Sequence, residues 1–115
     1  MRRSKYRNVR TVVDGIKFDS KREAARYQEL RLLEKSGHIR ELRLQVPYKL
    51  TINGVTIGKY VADFCYVEGC IDVQGETKVF VSREVIEDVK GFKTATYRLK
   101  KKLMKAIHGI EVKET

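Results

Sequence analysis

Three side chains break the pattern of the strands around them and have the types and spacing to do chemistry together. Asp63 lies in the run Tyr60 to Val67, where its neighbours on both strand faces are mostly apolar. Asp88 and Lys90 are two residues apart at the end of another strand-like run, so alternation puts both on one face. An unpaired buried carboxylate costs several kcal/mol, so these acids need compensation. An exposed aspartate at a sheet edge, and an ordinary charge pair at a strand end, remain the structural alternatives.

Two aspartates on neighbouring strands with a lysine beside them suit the hydrolysis of a phosphodiester. Mg²⁺ prefers carboxylate oxygens and keeps several waters. A Mg²⁺ or Mn²⁺ ion between Asp63 and Asp88 would lower the pKa of a bound water and offset the charge that develops on phosphate. Lys90 would position the water, act as a base if its pKa is depressed, or stabilise the transition state. The spacing therefore predicts a divalent-metal site.

The positive charge of the chain is concentrated in two segments. The net charge is +10, and residues 1–10 and 90–105 carry five and seven basic side chains, respectively, without an acid. Such segments favour a nucleic acid, because contacts to phosphates release counterions. A solvated basic face, an anionic membrane surface and an acidic protein partner are the alternatives.

Part of the second basic segment has helical spacing. Three of its side chains follow i, i+4 steps and could track a phosphate backbone, with two more at the helix N-terminus. A solvated helix face is the alternative. The five residues are Tyr97, Lys101, Lys105, Lys93 and Thr94.

The elements that must position these residues start after a basic arm of residues 1–10. Residues 11–115 form a single domain at this length. Thr11 to Phe18 is predicted to be a hairpin with Asp14-Gly15 as its turn. Ser20 to Glu23 has capping-box spacing, so a helix is expected from there to Ser36, with Gly37 ending it.

Alternation with a period of two begins at Ile39 and predicts three strands. Asn53-Gly54 is the strongest turn signal, and the returning strand is expected over Val55 to Val67. A polar loop with Gly69 and Gly75 is then expected before a strand from about Val79 to Lys90. A helix capped by Thr94 and a short strand near residues 110–112 follow, which gives a mixed sheet with helices packed on it. Two patterns define the expected apolar faces: Leu42, Leu44, Val46, Tyr48, Leu50 and Ile52 in the first strand, and Ala95, Leu99, Leu103 and Ile107 in the second helix.

Other classes of site and of protein are disfavoured. No apolar run is long enough for a membrane span, and no signal-like segment follows Met1, so a soluble cytoplasmic protein is expected. Cys65 and Cys70 lack the partners of a zinc site, and a disulfide is not expected in a reducing compartment.

Four segments in order resemble the PD-(D/E)XK nucleases of the restriction-endonuclease-like superfamily, and most closely its small phage-encoded members. The resemblance covers about residues 15 to 114. The proline of the superfamily motif is replaced, because Ala62 precedes Asp63. The segments are Phe18 to Ala24, Leu44 to Tyr48, Tyr60 to Phe64, and Glu87 to Gly91 continuing into Thr94.

The resemblance implies an αβββαβ core in which Asp63 and Asp88 bind Mg²⁺ or Mn²⁺ and Lys90 is catalytic. It implies that Glu23 of the first helix completes the acidic cluster. Glu23 has a rival role as the capping partner of the helix, and Glu29 is then the other helix acid to consider. It also suggests a polar contact from Gln45 near the site, although an exposed strand glutamine is equally compatible with the pattern.

The function expected from this resemblance is hydrolysis of double-stranded or branched DNA in the cytoplasm of a bacterium that carries the phage. A nicking enzyme and a Holliday-junction resolvase both fit, and a resolvase calls for a homodimer. A non-catalytic nucleic-acid-binding module on the same fold, acting with a phage partner protein, is the alternative from another class.

Overall fold

A computed structural model describes residues 10–115, without the side chains of residues 70–72 and 80. Nine of the ten residues of the predicted basic arm lie outside the described residues. No helix in the described part is long and apolar enough to cross a membrane. The elements are β1 (Thr11–Val13), β2 (Ile16–Phe18), α1 (Lys21–Lys35), β3 (Ile39–Ile52), β4 (Val55–Gln74), β5 (Thr77–Asp88), α2 (Ala95–His108) and β6 (Lys113–Glu114).

Local sequence signals fix the N-terminal hairpin and the first helix. β1 and β2 pair antiparallel around Asp14 and Gly15, which both have positive φ, as a two-residue hairpin turn requires. The Ser20 side chain accepts a hydrogen bond from the backbone N–H of Glu23, so it caps α1. Gly37, with φ of 82°, follows the end of the helix. The predictions for this region are confirmed.

The main sheet has the order β3-β4-β5-β6. β3, β4 and β5 pair antiparallel in sequence order, and β6 pairs parallel with β5. The sheet is therefore mixed and carries two helices, which confirms the predicted α/β class at this level. The element order after the first hairpin is helix, three strands, helix and strand.

The loop predicted around Gly69 is wrong, because both strands continue past it. β4 runs to Gln74 and β5 begins at Thr77, so the turn is only Gly75-Glu76. One uninterrupted register joins the two strands from Phe64↔Glu87 to Gln74↔Thr77. Ladder hydrogen bonds here outweigh the low strand preference of glycine, which is a weak and context-dependent quantity.

The apolar residues form two clusters, one around each helix. The cluster of α1 contains Phe64, whereas the cluster of α2 contains the next residue, Cys65. Successive strand residues point to opposite faces, so the two clusters lie on opposite sides of the sheet. The α1 cluster also contains Tyr27, Leu30 and Tyr66, and the α2 cluster contains Leu50, Tyr60, Tyr97 and Met104.

In both β3 and β4 the buried side chains change from one face of the sheet to the other, and they do so at the same point of the ladder. Leu44 and Phe64, which are register partners, both pack in the α1 cluster. Val46 and Ala62, the next partners, both pack in the α2 cluster. Residues two apart in a regular strand share a face, so the alternation is interrupted between them. The interruption in β3 coincides with Gln45, whose φ is 52°.

This change of face corrects the apolar face predicted for β3. The series from Leu42 to Ile52 does not share one face, because Leu42 and Leu44 pack in the α1 cluster and Val46, Tyr48 and Leu50 in the α2 cluster. Ile52 is also 42% exposed near the β3–β4 turn. Alternation of apolar and polar residues does not reveal which residue takes a left-handed backbone conformation. The change of face could therefore not be predicted from it.

The apolar stripe predicted for α2 is only half right. Leu103 and Ile107 pack against the core, but Leu99 is 58% exposed and Ala95 is exposed. A strict i+4 row drifts by about 40° per step around a helix of 3.6 residues per turn, so its early members turn away from the sheet. Tyr97 and Met104 are buried instead. The last strand is Lys113–Glu114 rather than residues 110–112.

Candidate active site

Gln45, Asp63 and Asp88 lie in one row across three strands. The pairs Leu44↔Phe64 and Val46↔Ala62 place Gln45 opposite Asp63. The β4–β5 ladder reaches Phe64↔Glu87, so Asp63 and Asp88 are the next positions along it. The change of face in β3 and β4 occurs at this row. The residues on its two sides therefore pack in different apolar clusters.

The two aspartates are held by different neighbours. Asp63 Oδ2 accepts a hydrogen bond of 2.9 Å from the backbone N–H of Val89, and its Oδ1 lies 3.4 Å from Gln45 Nε2. Asp88 is 1% exposed, and its Oδ2 accepts a hydrogen bond from the Tyr60 hydroxyl. Asp88 Oδ1 is buried without a hydrogen-bond partner among the described residues. One oxygen of each carboxylate is therefore weakly engaged.

The row brings the carboxyl groups of Asp63, Asp88 and the nearby Glu23 together in a partly buried region with little solvent. Burial, and then the proximity of the Asp88 carboxyl group, raise the pKa of Asp63 to about 8. Burial and the charges of Asp19 and Asp88 also raise the pKa of Glu23. Both pKa values are raised because the carboxyl groups are poorly solvated and lie near other acids, a combination that is frequent at functional sites.

Lys90 supplies the nearest positive charge. Its Nζ lies 3.2 Å from Asp88 Oδ1 and 4.6 Å from the centroid of the Tyr97 ring. The ring face attracts the ammonium group, and the Tyr97 hydroxyl is fixed by a hydrogen bond to Glu114. The Lys90 backbone N–H donates to the carbonyl of Thr115. Both ends of the lysine are thus held, with its side chain 28% exposed.

A cleft of about 440 Å³ opens over Asp63 and Lys90. α1 contributes Glu23, whose Oε1 lies 3.3 Å from Gln45 Nε2, so its carboxylate faces the row. Glu29 is instead exposed and pairs with Arg26. Of the two helix acids considered from the sequence, the structure brings Glu23 to the cleft.

Gln45 is the link between the strand row and the helix. Its amide reaches both Glu23 and Asp63, and its backbone has a φ of 52°. A non-glycine residue in this region stores on the order of 1 kcal/mol or more of strain, and such strain is concentrated at functional sites. The predicted polar contact of Gln45 near the aspartates is present.

Glu87 is buried on the opposite face of β5 and belongs to a different network. Its carboxylate receives two hydrogen bonds from Arg26, of 2.7 and 2.9 Å, and one of 2.7 Å from the Tyr66 hydroxyl. Burial alone would raise its pKa, but the Arg26 and Tyr66 interactions lower it. This network anchors α1 to the strand that carries Asp88.

The side chains on α2 that were predicted to track a phosphate backbone make contacts within the protein itself. Tyr97 is 8% exposed, and Lys101 Nζ lies 2.8 Å from Glu114 Oε1. Lys93 pairs with the same carboxylate at 3.4 Å, and Lys105 lies 3.6 Å from Glu111. Tyr97 therefore contributes to the core and to holding Lys90, while Thr94 caps α2 and lines the cleft.

The acids present suit a divalent ion bound partly by protein. No group of three or more His, Cys, Asp or Glu side chains close enough to hold an ion occurs among the described residues. Glu23, expected to complete such a cluster, lines the cleft with Asp63, and its Oε1 lies 3.3 Å from Gln45 Nε2. Mg²⁺ is commonly held by one or two carboxylates together with waters and substrate phosphates. Asp88 Oδ1, which accepts no hydrogen bond among the described residues and lies 3.2 Å from Lys90 Nζ, is an oxygen ligand of the kind that Mg²⁺ takes.

The sequence did not predict the roles of two residues of the site. Tyr60 was grouped with apolar neighbours, although its hydroxyl holds Asp88, and Asp19 lines the cleft mouth. Asp19 lies four residues before Glu23, and the proximity of two acids at a helix start was the available signal. For Tyr60 no local signal existed, because its contact spans 28 residues.

The comparisons with known proteins give one match. The family model described as "Protein of unknown function (DUF1064)" matches residues 3–115. No curated protein and no solved structure matches the chain.

Proposed function

This chain belongs to the DUF1064 family, and we propose that it is a metal-dependent DNA endonuclease of the PD-(D/E)XK type. The observation that carries the proposal is the meeting of Asp63 and Asp88 beside Lys90. Asp88 Oδ1 is buried, lacks a hydrogen bond and lies 3.2 Å from Lys90 Nζ. A purely structural role would not call for two adjacent acids that raise a pKa to about 8.

The architecture supports a restriction-endonuclease-like core within the α/β fold. The order α1-β3-β4-β5-α2-β6 is the αβββαβ order of that core. The acids lie on β4 and β5, the two central strands of the four-stranded sheet. Central strands are paired on both sides, which gives catalytic side chains a rigid support.

In the proposed mechanism, Asp63 and Asp88 hold a Mg²⁺ or Mn²⁺ ion. When bound, the ion supplies Lewis-acid activation of the phosphate and of water at this position. Tyr60 and the Val89 N–H fix one oxygen of each carboxylate, and of the two acids Asp63 lines the cleft. The carboxylates are thereby oriented before any ligand arrives, which reduces the cost of reorganisation.

Lys90 acts on the reacting phosphate in this proposal. Its ammonium group is held between Asp88 and the Tyr97 ring at the edge of the cleft. From there it stabilises the extra negative charge of the pentacovalent transition state and orients the attacking water. Gln45 is a positioning residue, because its amide holds Glu23 and Asp63 together.

DNA is the proposed substrate because the net charge of +10 suits a polyanion. A nicking enzyme and a Holliday-junction resolvase remain the two forms of the proposal. Resolution of a junction would use a homodimer with paired sites.

The test is incubation of the purified protein with supercoiled plasmid and with a synthetic four-way junction, in Mg²⁺, Mn²⁺ or EDTA. We expect metal-dependent cutting that falls by about 10²-fold or more in Asp88→Asn and in Lys90→Ala. Lys35→Ala, at the exposed end of α1, is the control for loss of a lysine. The preferred DNA distinguishes nicking from junction resolution.

Cutting that is unchanged in both site variants would refute the assignment of the active site. Retained DNA binding without cutting in any metal would favour the non-catalytic binding module. Circular dichroism of each variant separates loss of chemistry from loss of fold.

A further inference from the structure

A second cleft lies on the other side of Lys90, away from the acidic one. Its volume is about 320 Å³, and it shares Lys90 and Thr94 with the first cleft. Asp88 and Tyr97 also line it. The remaining lining residues include Lys59, Val61, Thr96 and Lys100.

This cleft has an excess of positive charge that the protein does not neutralise. The side chains of Lys59 and Lys100 make no ion pair or hydrogen bond with the described residues, in contrast to that of Lys101, which pairs with Glu114. Asp88 lines the cleft, but it is 1% exposed and already faces Lys90. Among the described residues Lys59 and Lys100 thus have no acidic partner, and Lys59 is exposed.

The two segments that supply the lysines of this cleft contain no acid. Residues 42–62, which form most of the β3–β4 hairpin, and residues 89–110, which include α2, have no Asp or Glu. Lys59 is also the register partner of Lys49, another lysine. Like charges directly opposite each other destabilise a sheet. An anion in the cleft would relieve this repulsion.

We propose that this cleft binds the DNA-backbone phosphate next to the one that is cut. Lys59 and Lys100 contact its oxygens as point charges, and the Thr96 hydroxyl donates to it. Because the acidic and basic clefts meet at Lys90, the strand runs from one into the other across Asp88. The inference rests on the proposed function, since that function places the scissile phosphate at Lys90.

The test measures binding of labelled duplex DNA in EDTA, without reference to cutting. Lys59→Gln and Lys100→Gln keep most of the side-chain stem and remove the charge. We expect each to weaken binding several-fold and to lower the slope of log K against log salt by about 1. Lys49→Gln, the exposed register partner of Lys59 outside the cleft, is the matched control and should change both quantities less.

Cleavage kinetics in Mg²⁺ give an independent reading. The two cleft variants should raise KM with kcat nearly unchanged, because the phosphate they hold does not react. Weaker binding in the variants with no cutting by the unmodified protein would support the phosphate site and refute the endonuclease. Equal behaviour of the Lys49, Lys59 and Lys100 variants, with cutting intact, would overturn the phosphate site alone.

Discussion

Replacement of Asp63 by asparagine should stabilise the ligand-free protein at alkaline pH. The pKa of Asp63 is about 8 in the folded protein against an ordinary value of 3.8. The folded state therefore binds more protons than the unfolded state between these values. The stability that the protonated group contributes is complete below pH 3.8 and is lost as pH rises through about 8. Asparagine keeps an oxygen for the Val89 N–H and adds donors for Asp88, so the variant resembles the protonated form.

The expected gain in the free energy of unfolding follows from the raised pKa of Asp63 and is then reduced because solvent screens a partly accessible group. A shift of roughly four pKa units corresponds to at most about 5 to 6 kcal/mol. Asp63 is partly accessible and its ionisation depends on the neighbouring Asp88 carboxyl group, so we expect about 2 kcal/mol. For a domain of this size that free energy corresponds to roughly 8 °C in Tm.

The assay is thermal unfolding, followed by circular dichroism, from pH 5 to 8.5 in EDTA. The Tm of the unmodified protein should fall across this range, and that of Asp63→Asn should fall much less. Glu76→Gln, in the exposed β4–β5 turn, serves as the control. Added Mg²⁺ at pH 8 should raise the Tm of the unmodified protein and not that of Asp63→Asn, because binding requires ionised carboxylates. Equal pH dependence in the two proteins would refute the electrostatic reasoning.

Two further predictions concern the supports of the site. Arg26→Ala should lower the free energy of unfolding by about 3 to 5 kcal/mol in urea titrations, because Glu87, which is 0% exposed, loses both hydrogen bonds from its cation. A loss below about 1 kcal/mol would mean that the remaining hydroxyl donors, of Tyr66 and Thr115, are enough to satisfy Glu87. Gln45→Gly should be about 1 kcal/mol more stable than Gln45→Ala, because glycine accepts a φ of 52° without strain. Both variants should cut DNA more slowly, and equal stability of the two would show that the backbone of residue 45 is relaxed.

Much of the fold was predictable because its signals are local. The turns at Asp14-Gly15 and Asn53-Gly54, the Ser20 cap and Gly109 after α2 are each read from a few adjacent residues. Asp63 and Asp88 stood out for a related reason, since an acid within an apolar run is visible without knowledge of the fold. The pairing of β4 with β5 then placed them side by side.

The parts that were missed depend on contacts between distant residues. The extension of β4 past Gly69 is imposed by its partner strand, and the face exchange depends on the backbone conformation of Gln45. The burial of Tyr97 instead of Leu99 reflects how α2 lies on the sheet. The spacing of apolar residues in the sequence predicts none of these three properties.

The succession of short turns between β3, β4 and β5 has a consequence for how the site assembles during folding. Gln45 and Asp63 are 18 residues apart, and Asp63 and Val89 are 26 apart. Closing loops of this length costs little entropy, so two hairpins can bring the row together before α2 and β6 dock. We therefore expect the acids to meet early, while water still surrounds them, and to lose that water at a late step, when the α2 core closes over Asp88. Protonation at that late step should speed the final docking, which makes the folding rate itself a reporter of the charge on the row.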